Sequence, residues 1–80
     1  MRVRALFFAS YREWAGRDAL DLDLGEGATV ADAVAAVRRT RGLERIPEAP
    51  VVAVNEEYAQ AETALRDGDE MALIPPVSGG

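Results

Sequence analysis

Six residues at the end of this 80-residue chain, Pro75-Pro76-Val77-Ser78-Gly79-Gly80, hold the group best placed to react. Part of the reason is what the rest of the chain lacks: histidine, cysteine and lysine are all absent. That removes the imidazole base, the thiolate nucleophile, the Schiff-base amine and any structural zinc of the Cys/His kind. All nine basic residues are arginine, whose guanidinium keeps its proton at ordinary pH. Side-chain chemistry is left to carboxylates and hydroxyls, and the main chain adds one more group, the α-carboxylate of Gly80.

The spacing around that carboxylate suits delivery. Pro75 and Pro76 cannot donate ladder hydrogen bonds, so a sheet must end there, and they favour stiff polyproline II geometry. Gly79 and Gly80 have no side chains, so a narrow tunnel can admit them. Six residues at roughly 3.1–3.4 Å each reach about 20 Å, far enough to enter a partner's active site. A free carboxylate, with a reference pKa of about 3.3–3.7, is anionic at neutral pH and a poor electrophile. It needs activation, most simply as an acyl-adenylate. The chain has no Walker-type phosphate loop, so it is expected to bind no cofactor itself and to rely on a separate ATP-using enzyme.

Other candidates have simpler readings. Arg38, Arg39, Arg41 and Arg45 are expected to complement the negative end of a helix rather than hold an anion. Asp67-Gly68-Asp69 reads as a turn, since its spacing is not that of an EF-hand and no metal site is expected. Asp21 and Asp23 are explained by strand alternation, and Glu56 and Glu57 by a solvated turn. Trp14 reads as a core or rim anchor.

The elements that must carry the tail follow from periodicity. Residues Arg2 to Ala9 read as an interior strand, with Val3, Ala5, Phe7 and Ala9 facing one way and Arg4, Leu6 and Phe8 the other. Ser10 to Ala15 reads as a short helical turn capped by Ser10 and ended by Gly16. Asp18 to Leu24 alternates cleanly: Leu20, Leu22 and Leu24 inward, Asp21 and Asp23 outward. Thr29 and Asp32 form a near capping box for a helix whose Val30, Ala33, Val34 and Val37 make one apolar stripe, with Gly42 expected as its left-handed C′ residue. A loop over Leu43 to Pro50 precedes a short buried strand, Val51 to Val54, and a turn at Asn55-Glu56. Ala61 to Leu65 reads as a single helical turn. Asp67 to Asp69 then turns into a last strand, Glu70 to Ile74, with Met71 and Leu73 inward. The result is an α+β domain over residues 1–74 and an extended tail over 75–80. On this facing Leu6, Phe8, Tyr58 and Ile74 lie on the side away from the helix, where clustered apolar groups mark a partner surface.

Composition narrows the partners. The apolar fraction is 49% and the net charge is −5, a balance that argues against nucleic acid. The apolar runs are too short to span a bilayer, and cysteine-free composition fits a cytoplasmic protein.

The tail resembles that of the small, sulfur-carrying subunits of molybdopterin synthases. So do Leu6-Phe7-Phe8-Ala9 with Arg12-Glu13 and Gly16, the Val54-Asn55 pair, and Leu65-Arg66-Asp67-Gly68-Asp69-Glu70, in order and over the whole chain. The resemblance implies a ubiquitin-like β-grasp fold with a mixed four- to five-stranded sheet. It implies that a ubiquitin-activating-type adenylyltransferase uses ATP to adenylate Gly80, and that a sulfur donor enzyme converts it to a thiocarboxylate. The tail then enters the large synthase subunit, within a heterotetramer, and sulfur passes to cyclic pyranopterin monophosphate to build the molybdopterin dithiolene. Positions matching Phe8, Tyr58 and Ile74 pack against the partners in similar proteins. On this reading the chain is a non-catalytic carrier subunit. The alternatives are a sulfur carrier for thiamine, tRNA thiolation or cysteine synthesis, and a ubiquitin-like protein modifier. A modifier without lysine cannot build branched chains on itself.

Overall fold

The alternation of Val3, Ala5 and Phe7 with Arg2, Arg4 and Leu6 makes a strand that a computed structural model, describing residues 1–77, places inside a five-stranded sheet. Ser78, Gly79 and Gly80 lie outside the described residues. The elements are β1 (Arg2–Phe7), α1 (Ala9–Ala15), β2 (Ala19–Asp23), α2 (Val30–Arg38), β3 (Val51–Val54), β4 (Glu57–Ala59) and β5 (Glu70–Ile74). Strand order is β2-β1-β5-β3-β4. The first and last strands pair in parallel, with Leu6 opposite Ala72 and Phe7 opposite Leu73. All other neighbours are antiparallel, so the sheet is mixed. Among the described residues, no helix is long and apolar enough to cross a membrane.

One face of the sheet is covered. Val3, Ala5, Phe7, Leu22, Val52, Met71 and Leu73 are buried there with Val30, Ala33, Val34 and Val37 of α2. The capping box forms as expected: the Asp32 amide donates to Thr29 Oγ1, and the Thr29 amide donates to Asp32 Oδ2 at 2.9 Å. Two more first-turn amides are satisfied from far along the chain, Val30 N–H by the Thr63 carbonyl and Ala31 N–H by the Ala61 carbonyl, both at 2.9 Å. This overturns the helical turn expected over Ala61 to Leu65. The carbonyls that such a turn would use internally are given to α2, and Ala64 instead forms an isolated bridge with Thr29.

Three further local expectations are corrected. Ser10 does not cap α1; the helix starts one residue earlier, Phe8 is its N-cap, and no side chain caps it. Gly16 does end α1 in the left-handed region, at φ 71°. Gly42 is left-handed, at φ 92°, but is not the C′ residue of α2, which stops at Arg38 with Arg39 as a right-handed cap. Val51 is exposed, as its strand neighbours Val52 and Ala53 are not.

The loop after α2 completes the core with residues that its sequence does not advertise. Leu43 and Ile46 are fully buried, and Tyr11 of α1 is 2% exposed. Arg38 holds this loop: its Nε donates to the Ile46 carbonyl at 2.6 Å, and its guanidinium lies 3.7 Å from Glu48. It therefore reaches forward to the loop rather than serving the end of its own helix. Trp14 is half-buried against the core beside Tyr11, and the Arg45 guanidinium lies 4.1 Å over its ring.

Burial pushes the Tyr11 phenol above its ordinary pKa of 10.0. The neutral form is thus favoured in the folded state relative to the unfolded chain. Its stabilising effect is complete below the unfolded pKa and is lost as pH rises through the folded one. Chemical denaturation at pH 8, 10 and 11 is expected to show stability falling above pH 10, with Tyr11→Phe removing part of that fall.

Candidate functional site

The candidate site is built from three parts: the tail exit, the uncovered sheet face, and the turns that fix the strands beneath it. The exit comes first. β5, the middle strand, ends at Ile74 opposite Val51. Pro75 follows, half-buried; Pro76 and Val77 are exposed, Val77 at 93%. None of the three lies in a helix or strand. The expected reactive residue, Gly80, and its neighbours Gly79 and Ser78 lie outside the described residues.

Directly opposed residues in a sheet share a face. Leu6, Ala72, Ala53 and Tyr58 therefore form one row across β1, β5, β3 and β4 on the face away from α2. Ile74 and Val51 form the next row toward the tail. Leu6 and Ile74 are half-buried, Phe8 is 49% exposed, Val51 53% and Tyr58 80%. Phe8 joins Leu6, Ala53 and Ala72 in lining a shallow hollow whose far rim is Asn55, Glu56 and Glu70. The four residues expected on the outer face are thus there, with Val51 as a fifth that sequence reading placed in the core. Val51 is opposite Ile74 and so faces away from α2, where no helix covers it.

The same face changes character along the strands. Away from the tail, Arg4 and Asp21 are cross-strand partners with Nε to Oδ1 at 3.3 Å, and Arg2 and Asp23 likewise pair at 3.2 Å. Such exposed pairs contribute little to stability, but they leave the apolar surface only at the tail end.

The turns explain why two of the short matching segments occur together. Asn55 and Glu56 both have positive φ, 49° and 73°, the geometry of a tight hairpin turn that asparagine tolerates. The Asn55 side chain then spans to the next turn. Its Nδ2 donates to Asp69 Oδ1 at 2.9 Å, and its Oδ1 accepts from the Glu70 amide at 3.0 Å. Asp69 Oδ2 accepts from the Arg66 amide, and Asp67 Oδ1 from the Arg2 amide. Both carboxylates of Asp67-Gly68-Asp69 are therefore engaged in holding turns. Replacing Asn55 by Ala removes two side-chain hydrogen bonds and the left-handed tolerance, and is expected to cost about 1–3 kcal/mol. Asn55→Gly should recover part of that, as read by urea denaturation, because glycine restores the backbone freedom alone.

Among the described residues no group of three or more acidic side chains is placed to hold a metal ion. Among them, too, no paired acid has a polar neighbourhood suited to acid–base work; Asp21 and Asp23 point outward to arginines. The geometry offers a chain leaving the middle strand without helix or strand structure at Pro75 to Val77, beside an exposed apolar face.

Comparison with known proteins agrees with that geometry. A molybdopterin synthase sulfur carrier subunit of Chlamydomonas reinhardtii is 41% identical over 83 residues, covering 100% of both chains. The solved structure of small archaeal modifier protein 1 from Haloferax volcanii is 32% identical, covers 95% of this chain and 98% of that one, and superposes with a TM-score of 0.85. A chain from the complex of subunits 1 and 2 of the molybdopterin-converting factor of Helicobacter pylori is 25% identical over 100% of both chains, with a TM-score of 0.73. The fold is the ubiquitin-like β-grasp. The ThiS family model matches residues 5–80, and on that match the chain belongs to the ThiS family.

Proposed function

We propose that this chain is the sulfur-carrier subunit of a molybdopterin synthase and that its reactive group is the carboxylate of Gly80. The observation that carries the reading is the exit of Pro75-Pro76-Val77 from the middle strand, directly beside Phe8, Leu6 and Ile74. A rigid strand aims the arm, and an apolar face next to it gives the partner something to grip. Relatives named as sulfur carrier subunits, similar over the full length, support the same assignment.

On this reading an adenylyltransferase brings ATP, a carboxylate oxygen of Gly80 attacks the α-phosphorus, and pyrophosphate leaves. A sulfur nucleophile delivered by the donor enzyme then displaces AMP at the carbonyl carbon, giving the thiocarboxylate. The tail enters the large subunit, sulfur passes to cyclic pyranopterin monophosphate, and water restores the carboxylate. Leu6, Phe8, Tyr58 and Ile74 dock the carrier in both complexes. Acid, base and phosphate-binding groups come from the partners, which is how a chain without His, Cys or Lys takes part in sulfur transfer.

Intact mass spectrometry of protein expressed with its native partners tests this. A mass gain matching one oxygen replaced by sulfur at the C-terminus supports it, and persistent absence with an active adenylyltransferase overturns it. Reconstitution with the large subunit and pyranopterin separates it from a carrier serving another pathway. Likeness to an archaeal modifier protein favours one second reading, attachment of Gly80 to lysines of other proteins. Isopeptide-linked species in the same spectra, without the thiocarboxylate, would select it.

A further inference from the structure

The charges of this chain are sorted along the strand direction. Residues 9–18 and 38–48 carry six arginines against four carboxylates, while the rest of the chain carries three against ten. The arginine-bearing segments meet in space. A Cβ on Gly42 would lie 2.8 Å from the Trp14 carbonyl oxygen, and Arg45 stacks on the Trp14 ring. β1 ends at Phe7, which the parallel register sets opposite Leu73, one residue before the last strand residue Ile74, and α1 begins two residues later at Ala9. The acidic turns lie at the other end, where Gly68 N–H donates to the Arg2 carbonyl and Asn55 holds Asp69.

Arg17 and Arg41 are exposed there and have no carboxylate within 4.0 Å among the described residues, whereas Arg39 lines a hollow with Asp23, Glu26 and Asp32. Arg45, over Trp14, is exposed but held in place. Arginine and tryptophan are residues on which interface energy concentrates. Residues 9–18 and 38–48 thus carry a net excess of two positive charges in a chain whose net charge is −5.

We propose that this end, centred on Trp14, Arg41 and Arg45, docks against an acidic surface on the protein that receives the tail, and that the charge asymmetry turns the carrier tail-first on approach. The inference rests on the functional reading above, which makes the large synthase subunit the partner. A polyphosphate is the poorer occupant, because its long-range field repels the net negative chain before the arginine end can engage. An acidic patch on a folded protein acts over a Debye length, about 8 Å at physiological salt, and so meets the near end alone.

The test compares two charge reversals with the same change in net charge at opposite ends. Association of the full chain with the large subunit is followed by stopped flow between about 0.05 and 0.5 M salt. Wild type is expected to associate roughly tenfold more slowly at the upper salt, with dissociation changing much less. At low salt Arg41→Glu should slow association at least about fivefold, and Arg66→Glu less than about twofold. Unchanged melting temperatures confirm that both variants fold. Equal slowing by the two variants, a salt-insensitive rate, or capture of duplex DNA at physiological salt overturns the inference alone. Absence of any complex with the large subunit at every salt concentration overturns the functional reading instead.

Discussion

Deleting Gly80 is expected to abolish sulfur transfer while leaving the melting temperature within about 2 °C of wild type. The two halves of that result come from different parts of the molecule. Activity fails because the shortened chain ends on a carboxylate one residue back, and an arm that reaches about 3.1–3.4 Å less per residue leaves that group short of the partner's reacting atoms. Even a misplacement of about 1 Å can cost on the order of a hundredfold in rate. Stability persists because the core is built from residues up to Leu73, the last strand residue is Ile74 and Val77 is already 93% exposed. Single-turnover conversion of pyranopterin with the large subunit gives the first readout, and calorimetry gives the second. A melting temperature lowered by 10 °C or more would contradict an arm independent of the domain.

The opposite pattern is expected at Gly42. At φ 92° an L-residue is strained by about 1–2 kcal/mol, and the added Cβ would lie 2.8 Å from the Trp14 carbonyl oxygen, a backbone atom that cannot swing aside. We expect Gly42→Ala to lose about 2–4 kcal/mol, or roughly 8–32 °C in melting temperature at about 4–8 °C per kcal/mol for a domain of this size. Trp14 is the only tryptophan, so its fluorescence reports the local displacement directly as Arg45 loses its place over the ring. A variant that melts within 3 °C of wild type would show that the contact between α1 and the loop relaxes easily. Purified Gly42→Ala, held below its melting temperature, should still accept sulfur at Gly80, which separates fold from chemistry.

These two glycines also mark where sequence reading succeeds and where it stops. Strand β2 was legible because Leu20, Leu22 and Leu24 alternate with Asp21 and Asp23 on a sheet covered on one side. Helix α2 was legible because its cap and apolar stripe are local patterns. Tyr11, Leu43 and Ile46 were not recognised as core, because a seven-residue helix and an aperiodic loop show no repeating face. The Ala61–Leu65 segment has residues that suit a helical turn, yet its carbonyls satisfy amides some thirty residues earlier in the chain, a demand visible only once α2 is placed. The outer apolar face could be read from alternation, except for Val51, because Val51 to Val54 is an unbroken apolar run whose facing is set only by its register with β5. The end of the sheet was legible from residue types alone: Pro75 and Pro76 follow directly on the last strand residue, Ile74.

The parallel pairing of β1 with β5 also matters during synthesis. The first strand made needs the last as its neighbour, so the sheet cannot close until Ile74 has emerged from the ribosome. Folding dominated by such distant pairing is slow compared with local helix formation. The residues from Pro75 onward follow that strand directly. A chain cut short before β5 has no middle strand and is left exposed to degradation, whereas a chain that folds has been made at least through Ile74. The topology therefore acts as a check on the strand itself: every molecule stable enough to persist has β5, the element from which Pro75 leaves the sheet.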